Sequence, residues 1–168
     1  NSGLIDNYIN HLVDYNGTIV VATPNGITMI KPDRLESWRR GERNLPDAAI
    51  QSLTIFSDRL WAGTFGHGLA RYEIETDSWR SFSQESIGLV DGFVIALGKM
   101  GNRLIIATRN AIYIYDGLLC ENVPFPINAN LSVRCLASDD KQAIVGTNAG
   151  LFRVSPDKKM TAISLGIS

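Results

Sequence analysis

The chain has 168 residues, 45% hydrophobic and 20% charged, and carries 16 Lys and Arg against 17 Asp and Glu for a net charge of −1. At roughly 150 residues per domain this is about one domain. The even charge balance excludes a strongly basic nucleic-acid binder or a polybasic membrane-surface protein. The hydrophobic content excludes disorder, and no stretch approaches the ~18 uncharged apolar residues of a bilayer span.

Read in chain order, short strand-like runs alternate with turn signals. The first unit places strands at residues 8–13, 19–23, 27–30 and 37–39, with Asn16-Gly17 and Asn25-Gly26 between them. Such pairs suit tight type I′ hairpins, which need positive φ at both central residues. The second unit places strands at 50–55, 60–64, 69–72 and 78–82. The third has them at 93–97, 104–108, 112–115 and 121–123, and the fourth at 133–136, 143–147, 151–154 and 161–163. Further turns are signalled at Pro32-Asp33, Thr76-Asp77, Met100-Gly101-Asn102, Asp116-Gly117 and Pro156-Asp157. Residues 32–43 are too rich in charge, Pro and Gly for a helix and read as a loop around a rim strand.

The second run of each unit repeats. Ile19-Val20-Val21-Ala22-Thr23 returns as Leu60-Trp61-Ala62-Gly63-Thr64, Leu104-Ile105-Ile106-Ala107-Thr108 and Ala143-Ile144-Val145-Gly146-Thr147. The threonines are 41, 44 and 39 residues apart. A small residue follows each: Gly26, Gly68, Ala111 and Gly150. Four antiparallel strands in 40–45 residues is the size of one propeller blade. The second strand is apolar throughout, as expected of a strand covered on both faces. The Ala or Gly before each Thr leaves room for close approach of a neighbouring sheet. The expectation is therefore an all-β chain of four β-propeller blades, repeats of about 41 residues with four antiparallel strands each. Their approximate bounds are 3–44, 45–87, 88–130 and 131–168, and the long connections fall near 41–49, 84–92 and 124–132.

The blade resembles the two-component-regulator propeller repeat. That repeat reads approximately Gly-Leu-Pro-x-x-x-Val, a short strand, an apolar-Trp-apolar-Gly-Thr run, then x-x-Gly-Leu and an aromatic residue before a turn. The second unit matches best, through Asn44-Leu45-Pro46-Asp47-Ala48-Ala49-Ile50, Leu60-Trp61-Ala62-Gly63-Thr64 and Gly68-Leu69-Ala70-Arg71-Tyr72. Gly88-Leu89-Val90-Asp91 and Gly3-Leu4-Ile5-Asp6 match in the third and first units, and the fourth keeps Gly146-Thr147 and Gly150-Leu151. The resemblance implies a sensor domain outside the membrane, periplasmic or extracellular, ahead of a kinase or other output module. It also implies ligand sensing, often of polysaccharide breakdown products, and no catalysis. It supplies no binding residues, because its motif residues are packing and turn residues.

Candidate binding residues come from the chain itself. Asp6, Asp47 and Asp91 hold matched places in three lead-in loops, where they could form an arc of carboxylates for sugar hydroxyls or a cation. The simpler reading is that each caps its own turn. Phe65, Phe93 and Arg109 lie near strand ends or turns, where sugars could stack, and His67 sits in the turn Gly66-His67-Gly68. His11 reads as structural, and Trp38 and Trp79 as equivalent blade-packing residues of the fourth strands. Two histidines and two cysteines supply no metal set, and no cofactor is expected. Cys120 and Cys135 are expected as buried free thiols, with one bridge left open. Nothing resembles a nucleophile elbow.

The leading functional expectation is a non-catalytic ligand-sensing or interaction module of a bacterial two-component regulator. The alternatives are a propeller scaffold for a partner protein and, third, a propeller hydrolase or lyase. The opening Asn1-Ser2-Gly3-Leu4 is not a signal peptide, which leaves a cytoplasmic chain or a piece of a longer one. Four blades in an open arc would expose two apolar blade faces. Expected outcomes are a homodimer that completes a ring or a larger propeller.

Overall fold

The computed structural model describes residues 3–126 and 131–164. Part of the third expected connection, residues 127–130, and the last four residues lie outside them. The described residues form sixteen strands in four antiparallel sheets, each in simple chain order. The first holds β1 (His11–Tyr15), β2 (Thr18–Thr23), β3 (Gly26–Ile30) and β4 (Leu35–Trp38). The second holds β5 (Ile50–Phe56), β6 (Arg59–Thr64), β7 (Leu69–Glu73) and β8 (Ser78–Phe82). The third holds β9 (Val94–Met100), β10 (Arg103–Thr108), β11 (Ile112–Tyr115) and β12 (Cys120–Val123). The fourth holds β13 (Val133–Ser138), β14 (Ala143–Thr147), β15 (Gly150–Val154) and β16 (Met160–Ala162). One 3-10 turn (Glu42–Asn44) and one short helix, α1 (Gln84–Ile87), lie in the connections. These are four propeller blades.

Three apolar cores fill the three seams between successive blades. Val20, Ala22, Ile27 and Met29 of the first blade meet Leu53, Leu60, Ala62 and Ala70 of the second. Trp61 and Leu69 meet Leu97, Leu104, Ile106 and Tyr113 across the second seam. Ile105, Ala107, Ile112 and Ile114 meet Ala143, Val145, Phe152 and Val154 across the third. Alternate residues of each second strand thus face opposite neighbours, which is why that strand is apolar throughout. The close approach expected at its Ala or Gly is present. A Cβ on Gly63 would stand 2.6 Å from Cγ1 of Val94 in the next blade.

The recurring threonine has a role of its own. Its hydroxyl donates to the carbonyl across the hairpin between the second and third strands. Thr23 donates to Gly26 at 2.9 Å, Thr64 to Gly68 at 2.9 Å, Thr108 to Ala111 at 3.3 Å and Thr147 to Gly150 at 3.0 Å. In three of the turns the same oxygen accepts a backbone N–H, from Asn25, His67 and Ala149. The threonine ties the turn that ends each strand pair.

Three expectations need correction. Trp38 and Trp79 are not equivalent. Gly26 follows Thr23 by three residues, but Gly68 follows Thr64 by four. One added residue reverses the alternation of everything after it. Trp38 pairs with Ile27 and faces forward, whereas Trp79 pairs with Tyr72 and faces back. The two indoles meet at 6.2 Å, edge to face, in one seam. Next, Asn16-Gly17 has the paired positive φ of a type I′ turn (53° and 77°), but at Asn25-Gly26 only Gly26 is positive, at 139°. The I′ geometry appears instead at Ser57-Asp58, φ 50° and 57°, where the residue types gave no signal. Finally, both cysteines are free thiols, yet Cys135 is exposed and Cys120 half-buried. Burial pushes the Cys120 thiol up to about 11, with a smaller contribution from Glu121.

Candidate functional site

Six of the seven candidate residues gather in two neighbouring loop systems at the second seam, and Asp6 stands apart in the first blade. The three aspartates repeat one geometry. Oδ1 of Asp6 accepts the Tyr8 N–H at 2.9 Å, Oδ1 of Asp47 the Ala49 N–H at 3.2 Å, and Oδ1 of Asp91 the Phe93 N–H at 2.9 Å. Each is an Asx turn that aims its chain into the first strand of its blade. The second oxygens differ. That of Asp6 accepts from Asn25 Nδ2 at 2.7 Å, and that of Asp47 lies 3.0 Å from His67 Nδ1. Oδ2 of Asp91 is buried without a hydrogen-bond partner. The aspartates therefore position their loops; Asp47 is buried, and Asp6 and Asp91 are half-buried.

The side chains that do reach solvent are carried by those loops. Phe65, in the turn after β6, bridges backbone to backbone with Phe93 at the start of the third blade. Their rings meet edge to face at 5.0 Å. Arg109, in the turn after β10, lays its guanidinium 4.7 Å from the centre of the Phe93 ring and 5.8 Å from that of Phe65. Its backbone N–H donates to the Phe93 carbonyl, which holds that turn against the ring it covers. The loops approach closely because both are glycine at the contact. The N–H groups of Gly66 and Gly68 donate to the Gly92 carbonyl at 3.0 and 3.1 Å, and a Cβ on Gly92 would collide with the Gly66 carbonyl. Phe65 is 43% exposed, Arg109 is exposed, and Phe93 is half-buried. His67 is buttressed on Nδ1 by Asp47, so Nε2 is left as its outward atom. Among the described residues Arg109 forms no ion pair with a carboxylate. The arrangement is an aromatic and cationic platform flanked by an imidazole. It can stack on an apolar ring face and hydrogen-bond polar or anionic groups at its edge.

Two concavities went unread in the sequence. The four innermost strands converge on an open cavity of about 440 Å³, lined by His11, Leu53, Gly98, Lys99, Ser138 and Asp140 among others. Lys99 pairs there with Asp140 at 3.8 Å. Here His11 accepts the Leu53 N–H on Nδ1 at 3.4 Å, and partial burial lowers its pKa below the ordinary 6.5. A second groove of about 470 Å³ lies on the rim between the second and third blades, against Phe82, Tyr115 and Leu118. Only the recurrence of the first strand as the innermost one could have signalled the central cavity. The described residues include no group of three or more His, Cys, Asp or Glu able to hold a metal ion.

No protein-family model matches the chain, and no curated protein matches it. Solved structures do. The chain is similar to the extracellular domain of the hybrid two-component system BT4673 from B. thetaiotaomicron, at 23% identity and TM-score 0.80, over 96% of this chain and 23% of that one. It is similar to the extracellular domain of the hybrid two-component system BT3049 of the same organism, at 16% identity and TM-score 0.76, over 95% and 25%. It is also similar to virginiamycin B lyase from Staphylococcus aureus, at 15% identity and TM-score 0.74, over 95% and 56%. The chain spans about a quarter of the length of these two extracellular domains. What it shares with them is the propeller-blade fold.

Proposed function

We propose that the chain is a non-catalytic ligand-sensing segment of a membrane-anchored bacterial sensor, facing the periplasm or the exterior. Its ligand is a carbohydrate-like molecule that lies on the Phe65–Phe93–Arg109 platform. The observation that carries this reading is the platform itself. Two aromatic rings and a guanidinium that pairs with no carboxylate among the described residues are held at one seam by loops braced through Asp47 and Asp91. An aromatic face takes the apolar face of a sugar ring, and His67 offers Nε2 to a hydroxyl. The free guanidinium favours sugars that carry an acidic group. The fold shared with extracellular domains of two-component systems supports the sensing role and the location. Turn geometry occupies one oxygen of each aspartate, which supports binding over acid–base chemistry. No helix of the described residues is long and apolar enough to cross a membrane, so the proposed anchor lies outside them.

The test is an array of neutral and uronic-acid oligosaccharide fragments, probed with the wild-type chain and with Phe93→Ala and Arg109→Gln. The reading expects binding to a small set of fragments, lost in Phe93→Ala, with acidic fragments weakened most by Arg109→Gln. Binding that both variants retain would move the site elsewhere.

A further inference from the structure

The strand residues of the three seams recur at matched positions from blade to blade, and that correspondence exposes what the two end blades lack. In the second blade, Leu53, Leu60, Tyr72 and Trp79 face back into the first seam and are at most 8% exposed. Their counterparts in the first blade are Leu12, Ile19, Ile30 and Leu35, 57%, 39%, 38% and 40% exposed. The registers fix the match: Ile19 pairs with Asp14 as Leu60 pairs with Ile55, and Ile30 pairs with Leu35 as Tyr72 pairs with Trp79. At the other end, Ile27, Leu69 and Ile112 face forward into the three seams at 0% exposure, whereas their counterpart Leu151 is 46% exposed. Even Arg153 on this forward face has a precedent within a seam. Its counterpart Arg71 packs its guanidinium 5.5 Å from the Trp61 ring at the second seam. The first blade thus leaves Leu12, Ile19, Ile30 and Leu35 of its backward face exposed, while Val21 and Thr28 on that face are already buried, and the fourth leaves Leu151 of its forward face exposed, with no partner blade for either face among the described residues.

From this repeat of one interface we propose that the backward face of the first blade is a docking surface for the forward face of the fourth blade of a second copy of this chain. Two copies make the contact twice, each end covering the other's. This is head-to-tail contact that closes on itself. A second copy is the occupant because the forward face that matches the established seams is the one this chain itself carries.

Sedimentation equilibrium of the purified chain tests the proposal. The expected mass is twice the 18.4 kDa of one chain. Leu12→Asp and Leu151→Asp, each at a side chain already exposed in the single chain, are expected to fold with unchanged circular dichroism and to lose the dimer. A mixture of the two monomeric variants regains one of the two contacts, between the intact forward face of one and the intact backward face of the other, and so a weaker dimer than the wild type. Cys135, on the forward face beside Gly146 and Leu151, is expected to be alkylated in the Leu12→Asp monomer and protected in the wild-type dimer. A wild-type monomer at every concentration would overturn the proposal. So would a Leu151→Asp chain that stays dimeric through first-blade faces alone, or a mass that climbs past two chains without closing. A longer chain that stays monomeric while its adjoining blade buries Leu12 would overturn it and name that blade as the occupant.

Discussion

Replacing Thr64 with valine isolates the hydroxyl that ties the hairpin between β6 and β7. Valine keeps the shape of the side chain, so no cavity opens. Thr64 is fully buried, donates to the Gly68 carbonyl at 2.9 Å and accepts the His67 N–H at 3.0 Å. In the variant the Gly68 carbonyl keeps the Thr64 N–H at 3.0 Å, but the His67 N–H loses its acceptor. One net hydrogen bond is worth about 1 kcal/mol, and a donor left without a partner away from water costs about 1–3 kcal/mol. With the site only partly shielded at His67, the expected loss is about 2 kcal/mol, or a fall in Tm of about 4–8 °C for a chain of this length. Thr147→Val removes the same pair of bonds in the fourth blade, where they are exposed, and should cost under about 1 kcal/mol. Urea unfolding followed by the fluorescence of the buried Trp38, Trp61 and Trp79 measures both. Equal losses in the two variants, or a Thr64 loss below about 0.5 kcal/mol, would refute the role assigned to this hydroxyl.

Other expectations follow from single contacts. Gly63→Val puts a branched side chain where even a Cβ would stand 2.6 Å from Val94, and overpacking of this kind costs about 1–3 kcal/mol, readable in the same urea titration. The His11 pKa is lowered on folding, so the unfolded chain binds that proton more readily. Stability is therefore unaffected by this group above pH 6.5 and declines as the pH drops below 6.5 and through the lowered folded pKa, a slope that His11→Gln should flatten. Cys120, pushed up to about 11 and half-buried, should resist iodoacetamide at pH 8 until the chain is unfolded, as mass spectrometry of the labelled chain would show.

The blade was legible because burial on both faces leaves a plain mark: three apolar residues, a small one and a threonine. The threonine itself was legible only as a marker, since its task depends on hairpin geometry that composition does not carry. The equivalence of Trp38 and Trp79 failed for a related reason. Counting from the threonine gives both the same offset, yet one extra residue in Phe65-Gly66-His67-Gly68 turns Trp79 to the opposite face. That same insertion carries Phe65 out to Phe93 and His67 onto Asp47. A departure from the repeat thus helps build the platform, whose Phe65, His67, Phe93 and Arg109 the sequence marks only as lying near strand ends and turns. The three aspartates hold matched places in the repeat, and in each loop Oδ1 accepts the N–H two residues on. The central cavity stayed hidden because His11, Lys99 and Asp140 lie far apart in the chain and converge only when the innermost strands do.

Whether ligand lies on the platform at the second seam is read most directly by titrating the isotopically labelled chain with the best fragment from the oligosaccharide array and following amide NMR shifts. Shifts are expected only in the loops that carry Asp47, Phe65, His67, Phe93 and Arg109. Shifts centred instead on His11, Lys99 and Asp140 of the central cavity, or on Phe82 and Tyr115 of the rim groove, would contradict that placement.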